Sequence, residues 1–415
     1  MSNIKYQTLK GFRDFLPEEK RKRDYVLKKI IEVFELYGFD PLETPTLEYA
    51  SLLLGKYGKE ADKLIYSFKD RGDREIALRY DQTVPTARVL AQYQKLLPKY
   101  FRRYQIQNVF RADNPQKGRY REFTQCDIDI FGSASPIADA EIIATTYFAF
   151  KNVEYPTVKI LINDRQTLST YLKSFTNEKV DIFSLIQTID KLEKLGKKKV
   201  QEELITKGLT EDQSQKTLIS IQSAKVSENL QTIINYAVAL GVPKELLVFT
   251  STLARGLDYY TGMIFEVALP EYTVGSCGGG GRYDKLIAEL GGVEIPAVGI
   301  AFGFDRMVDA ADFLKIIPEN KTGTQVLVCI FNQETINNSL VITQKLRQSK
   351  ISTEILPSSS EKLDKQLKYA DRKGIPFVII IGPEEEEKNL IKFKNMQTGE
   401  QKEIPLEQAI KILKD

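Results

Sequence analysis

The stretch VFRADNPQKGRYREFTQCDIDIFG, residues 109–132, alternates two chemistries at a period of two. Thr124, Cys126, Ile128 and Ile130 share one side of an extended strand and are small or apolar, as a core face requires. The opposite side carries Arg121, Phe123, Gln125, Asp127 and Asp129. A guanidinium, an aromatic ring, an amide and two carboxylates, with no aliphatic residue among them, suit a binding floor. A solvent-facing strand is the plainer reading, because polar outer faces are common in antiparallel sheets. The loop shifts the balance: Arg111, Lys117, Arg119 and Arg121 converge around it, and guanidinium forks match phosphate oxygens. Phe123 could stack on a base.

Four further stretches carry candidate chemistry. ARGLDYYTGMIFEV (254–267) reads as a strand with Leu257, Tyr259, Met263, Phe265 and Val267 on one face. Its other face holds Asp258, Tyr260 and Gly262, with Arg255 just upstream. In LRYDQTVPTAR (78–88), an extended backbone would aim Asp81 and Thr83 together at an ammonium group. A turn in which Asp81 caps its own backbone explains the same residues more simply. VGSCGGGGRYDKL (274–286) reads as a glycine loop that lets backbone approach a ligand, but its lysine follows the tyrosine, which excludes a P-loop. AVGIAFGFDRMVDA (297–310) leads small residues into a helix start, with Arg306 on the first turn.

Composition narrows the reactions these groups can serve. The 415 residues contain no histidine, which removes the commonest general base and metal ligand, and with it hydrolytic triads and zinc hydrolases. Three cysteines, Cys126, Cys277 and Cys329, lie too far apart for a CxxC zinc site and are odd in number. No metal site is expected from the protein. A net charge of +3 leaves any nucleic-acid contact to local patches. The N-terminus lacks an apolar signal core and no later run is long enough to span a bilayer, so a cytoplasmic protein with no membrane partner is expected.

The surrounding patterns say what must hold these residues. An amphipathic helix is expected over 19–37, with Gly38 as its cap. Two antiparallel strands over Lys99–Gly132 flank the ADNPQKGRY loop. A helix over Ile137–Phe150 and the strand TVKILIND follow. Residues 168–248, rich in Lys, Glu, Gln and Leu, read as a helical insertion. Beyond Thr324 the runs VLVCIF, ISTEIL and PFVIII alternate with amphipathic helices, which predicts a separate, largely parallel α/β domain. KNMQTGEQ reads as a hairpin turn and PEEEEKN as a solvated loop.

Taken in order, these stretches resemble the class II aminoacyl-tRNA synthetases, and specifically the histidyl-tRNA synthetase family. GFRDFLP (11–17) is similar to that family's opening, and FELYGFDPLETPTLEY (34–49) to its first class motif, associated with the dimer interface. FRADNPQKGRYREFTQCDIDIFG resembles the second motif and VGIAFGFDRM the third, while ARGLDYYTG and GGGRYD resemble signatures of the histidyl enzymes. LKYADRKGIPFVIIIG is similar to their anticodon-binding domain.

The resemblance implies an α+β catalytic domain with an antiparallel sheet over 1–320, the helical insertion within it, and an α/β anticodon-binding domain over 324–415. It implies ATP-dependent activation of L-histidine and transfer to the 3′ end of histidine tRNA, with ATP and Mg2+ as cofactors and a homodimer as the assembly. Arg111 and Arg255 would be catalytic, Arg111 at the α-phosphate and the substrate carboxylate, Arg255 as a fixed cation at the α-phosphate. Asp113, Arg119, Arg121 and Arg306 would serve ATP, with Phe123 under the adenine. Asp81, Thr83 and Gln125 would take the α-ammonium, and Asp129 and Tyr260 the imidazole, with Tyr259 and Tyr283 lining the pocket. Gln116 would meet the tRNA acceptor end, and Lys194, Lys197, Lys198 and Lys199 of the insertion the acceptor arm. Asp81, Asp129, Lys285 and Asp305 depart from the commonest pattern, which puts substrate affinity in question more than activity. A catalytically inactive, synthetase-like regulatory subunit of ATP phosphoribosyltransferase is the alternative. Against it stand Arg111, Arg255 and Arg306, all present.

Overall fold

The computed structural model describes residues 6–55, 62–116, 118–255, 259–289, 294–319 and 321–414. Lys117, Leu257 and Asp258 lie outside them. The chain divides into two compact units, the larger carrying Arg23–Ile317 and the smaller Pro318–Asp415 with the short segment Phe15–Lys22.

In chain order, the strands of the larger unit are β1 (Asp40–Pro41), β2 (Leu47–Tyr49), β3 (Ser67–Lys69), β4 (Glu75–Leu78), β5 (Phe101–Phe110) and β6 (Glu122–Phe131). After them come β7 (Lys159–Asp164), β8 (Leu247–Phe249), β9 (Met263–Ala268), β10 (Gly278–Arg282) and β11 (Ala297–Phe302). Eight of them form one sheet in the order β1-β5-β6-β11-β10-β9-β7-β8, and β2-β4-β3 form a small one. Only the edge pairs β1·β5 and β7·β8 are parallel. One face of the large sheet is an ordinary core. Cys126, Ile128 and Ile130 pack there with Phe265, Ile300 and Phe302. The helix Pro17–Leu36 adds Val26, Ile30, Val33 and Phe34, and the helix Pro136–Val153 adds Ile142, Ile143 and Phe150.

Several local expectations change once the chain is folded. The glycine run is not a loop: Gly278–Arg282 is an interior strand, bonded on both sides to β9 and β11. Its backbone groups are satisfied by those neighbours, so the absence of side chains opens space above the sheet rather than freeing the chain. Of the strand expected over 254–267, Met263–Ala268 forms one, residues 256–258 lie outside the described residues, and Arg255 has a left-handed φ of 49° that is not extended. Asp81 and Thr83 do not share an extended face, because a helix runs from Thr83 to Tyr93 and tolerates Pro85 in its first turn. Asp81 accepts from Val84 N at 3.2 Å, the capping role.

Residues 165–239 fold as five helices, four of them started by side-chain caps at Asp164, Asp181, Thr210 and Ser227. Leu168, Leu185 and Leu204 join the cluster of Phe131, Ile264 and Tyr283, whereas Leu230 and Ile233 of the last helix join the core around Phe150. The helical region is thus a cover built onto the sheet. Lys194, Lys197, Lys198 and Lys199 are exposed beside Gly196, where the helix is interrupted at φ 78°, ψ 164°.

The smaller unit holds β12 (Val326–Ile330), β13 (Thr353–Ile355), β14 (Phe377–Ile381), β15 (Ile391–Asn395) and β16 (Gln401–Ile404). Their order is β13-β12-β14-β15-β16, parallel over the first three and antiparallel thereafter. The helix Leu363–Lys373 stops at Gly374 in the left-handed region. PEEEEKN is not a loop. Pro383–Glu387 is a short helix in which the buried Glu385 carboxylate accepts from Gly382 N at 2.9 Å. All three cysteines are buried and free. No helix among the described residues is long and apolar enough to cross a membrane.

Candidate active site

The second face of the large sheet is also buried: Phe131 and Ile264 meet the helical cover there, but β6 just before Phe131 is polar on this face. Gln125, Asp127 and Asp129 of β6 are all buried there. Across β5 the register pairs Arg103 with Asp129, Gln105 with Asp127 and Gln107 with Gln125. On the other side Gly299 stands opposite Asp129, and Gly281 opposite Gly299. These glycines are required by what lies on them. A Cβ on Gly299 would meet Asp129 Oδ1 at 1.8 Å, one on Gly281 the Tyr260 ring at 2.8 Å, and one on Gly279 Arg255 Nη1 at 2.2 Å. The bare centre of the sheet is therefore a floor over which Asp129, Tyr260 and Arg255 extend.

Asp129 is held on both oxygens. Oδ1 accepts a short hydrogen bond from the Tyr283 hydroxyl, and Oδ2 is ion-paired with Arg103 Nη2 at 2.7 Å. Tyr259 bridges the aromatic wall, 4.7 Å from Tyr260 and 5.8 Å edge-on from Tyr283. Arg255 donates to Glu266 Oε1 at 2.9 Å, and its guanidinium lies 5.9 Å from the Tyr260 ring centre. Asp81 is buried at the N-terminal end of its helix, with Thr83 half-buried beside it.

The phosphate-type cations sit around the β5–β6 loop. Arg111 is sandwiched between Tyr80 (4.4 Å) and Phe123 (5.1 Å) and donates to Tyr80 O at 3.1 Å. Phe123 thus carries a guanidinium on its ring in this state. Arg119 forks onto Asp113 through two bonds of 2.9 Å, and Arg121 Nε donates to Asp113 O at 2.9 Å. Gln116 is exposed in the tight turn it closes with Arg119. Arg306, on the first turn of Phe304–Phe313, donates to Ser276 O at 2.7 Å. The neighbouring Asp305 binds Arg13 at 2.9 Å and also Arg23, while Arg13 stacks 3.3 Å above Tyr120.

Burial sets the electrostatics. It pushes the carboxyls of Asp127 and Asp129 above the usual range, against the opposing pull of Arg103. It likewise raises the phenols of Tyr259 and Tyr283, so both stay hydroxyl donors. Burial alone would lower the Arg255 pKa, but Tyr260 and Glu266 outweigh it and hold the guanidinium charged. Gln82 Oε1, Gln125 Oε1, Asp127 Oδ1 and Arg255 Nε are buried with no hydrogen-bond partner among the described residues. Native proteins leave few such groups, and their gathering here marks a place built for a polar ligand.

Arg103, Gln82 and Glu266 belong to this constellation and were not singled out in the sequence. Arg103 had a detectable signal, since Arg103, Gln105 and Gln107 repeat at every second position in FRRYQIQNVF. A polar face there matches the polar face of β6.

An antiparallel catalytic sheet with a cationic β-hairpin loop and an arginine-bearing helix after its last strand, followed by an anticodon-binding domain, defines a class II aminoacyl-tRNA synthetase. The histidyl-tRNA synthetase family profile matches residues 11–307, and the anticodon-binding domain profile matches residues 325–415. Histidine–tRNA ligase of Cytophaga hutchinsonii is 39% identical, over 97% of this chain and 98% of that one. The Porphyromonas gingivalis enzyme is also 39% identical, over 96% and 97%. The crystal structure of histidyl-tRNA synthetase from Nostoc sp. PCC 7120 superposes with a TM-score of 0.86 at 33% identity, covering 99% of each chain. The chain belongs to the histidyl-tRNA synthetase family. A Bacillus halodurans protein described as an ATP phosphoribosyltransferase regulatory subunit/histidyl-tRNA synthetase shares the fold, at TM-score 0.75 and 22% identity.

Proposed function

We propose that this chain activates L-histidine with ATP to histidyl-adenylate and passes the histidyl group to the 3′ end of histidine tRNA. The observation that carries this reading is a charged Arg255, the Tyr260 ring and the Tyr283-bound carboxylate of Asp129 extending over one glycine floor. A carboxylate oxygen of histidine attacks the α-phosphorus in line, the bond to the pyrophosphate bridging oxygen breaks, and pyrophosphate leaves. No protein base is needed, because the attacking carboxylate is already ionised. Arg111 and Arg255 would hold charge on the α-phosphate oxygens, which is where it must be stabilised. Arg119, Arg121 and Arg306 would take the outer phosphates, with Asp113 steering Arg119. Phe123 would stack on adenine once Arg111 turns to the phosphate.

Neutral imidazole presents one donor and one acceptor, so Asp129 and the hydroxyl of Tyr260 can satisfy both nitrogens. Tyr259 and Tyr283 would line the ring, while Asp81, Thr83 and Gln125 would receive the α-ammonium. Polar readout of this kind rejects analogues by about 10⁴–10⁵ without an editing site. Magnesium would enter with ATP, carried on its phosphate oxygens. A homodimer in the cytoplasm, with Gln116 at the tRNA acceptor end, completes the reading.

ATP–pyrophosphate exchange across the standard amino acids tests it, with Arg255→Ala in parallel. Exchange with L-histidine alone, lost in the variant, is the expected result. Folded protein that exchanges with no amino acid would replace this reading with the inactive-regulator one.

A further inference from the structure

The imidazole reader is a carboxylate with an unusual neighbour. Asp127 and Asp129 are two residues apart on one strand face, both buried, with Asp81 also acting on each of them. Two desolvated carboxylates this close do not both ionise unless a cation intervenes, because one will retain a proton. The buried cation is Arg103. It is fully buried in β5, opposite Asp129 in the ladder, and ion-paired to it at 2.7 Å. Its contact to Asp129 Oδ2 is an ion pair rather than a hydrogen bond, and Arg103 Nε and Nη1, Asp129 Oδ2 and Asp127 Oδ1 have no hydrogen-bond partner among the described residues. A fully buried arginine with two idle nitrogens is expensive as packing. Apolar residues of similar volume would hold the strand at least as well.

We propose that Arg103 is a positioning residue that sets specificity for histidine: it supplies the charge that lets Asp129 remain an anion beside Asp127, and it fixes Asp129 Oδ2 so that Asp129 meets the imidazole in one orientation. The inference rests on the imidazole-reading role assigned to Asp129 above. Arg103 stands beside Asp129 on the neighbouring strand and acts through it. Other charged or titratable groups face the pair: Asp81 ahead of its helix, Arg111 at the end of β5, and Tyr283 after β10. Among the described residues the cation ion-paired to Asp129 is Arg103, not Arg111.

The test is histidine- and ATP-dependence of pyrophosphate exchange in wild type, Arg103→Met and the double variant Arg103→Met/Asp127→Ala, with thermal unfolding of each. Wild type must first exchange with histidine; if it does not, the proposed function fails before Arg103 is judged. Arg103→Met should raise KM for histidine about 10–100-fold, the usual effect of a neighbouring cation on the ionisation of a carboxylate, while KM for ATP stays put. Removing Asp127 as well takes away the competing carboxylate, so the double variant should recover most of the histidine KM. A purely structural role would lower the melting temperature and move both KM values together. If Arg103→Met does not fold, the double variant decides alone. A folded double variant with near wild-type histidine KM supports the proposal. One that is as poor as the single variant, or that also fails to fold, overturns it.

Discussion

β6 and β14 occupy equivalent places, each in the interior of its sheet and each buried along both faces, yet they are made of opposite material. In β14, Ile379 and Ile381 enter one apolar cluster while Val378 and Ile380 enter another. Every buried atom there stabilises the fold. β6 sends Cys126, Ile128 and Ile130 into a comparable core, but Gln125, Asp127 and Asp129 are buried on its other face, where several polar atoms have no hydrogen-bond partner among the described residues. Burial as such does not distinguish a scaffold from a site. The distinction lies in whether the buried groups are satisfied within the chain or left for a ligand to satisfy.

Substitutions that add or remove single atoms should separate the two strands. The largest effect is expected at Gly299, where a Cβ would sit 1.8 Å from Asp129 Oδ1 and 2.5 Å from Ile128 O. Gly299→Ala should reduce kcat/KM for histidine at least about 10²-fold, the usual consequence of misplacing a group by an ångström. Wild-type kinetics in that variant would mean the glycine floor is not where histidine binds. At β14, Ile379→Val removes one methyl from a packed core and should cost about 0.5–1.5 kcal/mol in urea unfolding. Histidine-dependent exchange should not change, and a parallel loss of activity would break the division of labour drawn here.

The smallest effect belongs to Glu385 near the end of β14. Its side-chain bond to Lys392, then Gly382 N–H, hold its carboxyl below the usual range. A depressed carboxyl contributes stability above its unfolded value, and that stability is lost as pH falls through the folded value. Glu385→Gln keeps an acceptor for Gly382 but drops the charge. The cost should be about 0.2–1 kcal/mol at neutral pH, since Lys392 is partly exposed, and should vanish in acid. Equal unfolding curves for variant and wild type at neutral pH would show that the pair is ornamental.

The smaller unit was the more legible in sequence. VLVCI and FVIII are apolar at every position, and the helix ending at Gly374 announces its own stop, so strand, helix and order follow from local pattern. Its one misreading, PEEEEKN, came from weighing four carboxylates as solvated charge. In fact Pro383 starts a helix whose third residue folds back on the cap. The catalytic half was legible in its chemistry and less so in its geometry. Arginines, tyrosines and aspartates declare themselves by type, while GGGG by itself reads as a loop and ARGLDYYTG as the start of a strand. Glycine permits both a loop and an interior strand; which one forms depends on whether β9 and β11 arrive on either side.

By itself, then, the sequence determined the class of chemistry. Without a histidine the chain has to work by fixed cations and positioned carboxylates, and the order of Arg111, Asp129, Arg255 and Arg306 carries the family's pattern. It also determined which face of β6 would be apolar, because a period of two is a local property. Only the tertiary structure decided that the other face is buried rather than wet, that Asp129 answers to Tyr283 and Arg103, and that three glycines clear the ground beneath Arg255, Tyr260 and Asp129. Those relations join residues as far as 154 positions apart. They are set by strand register, which no single stretch of the chain contains.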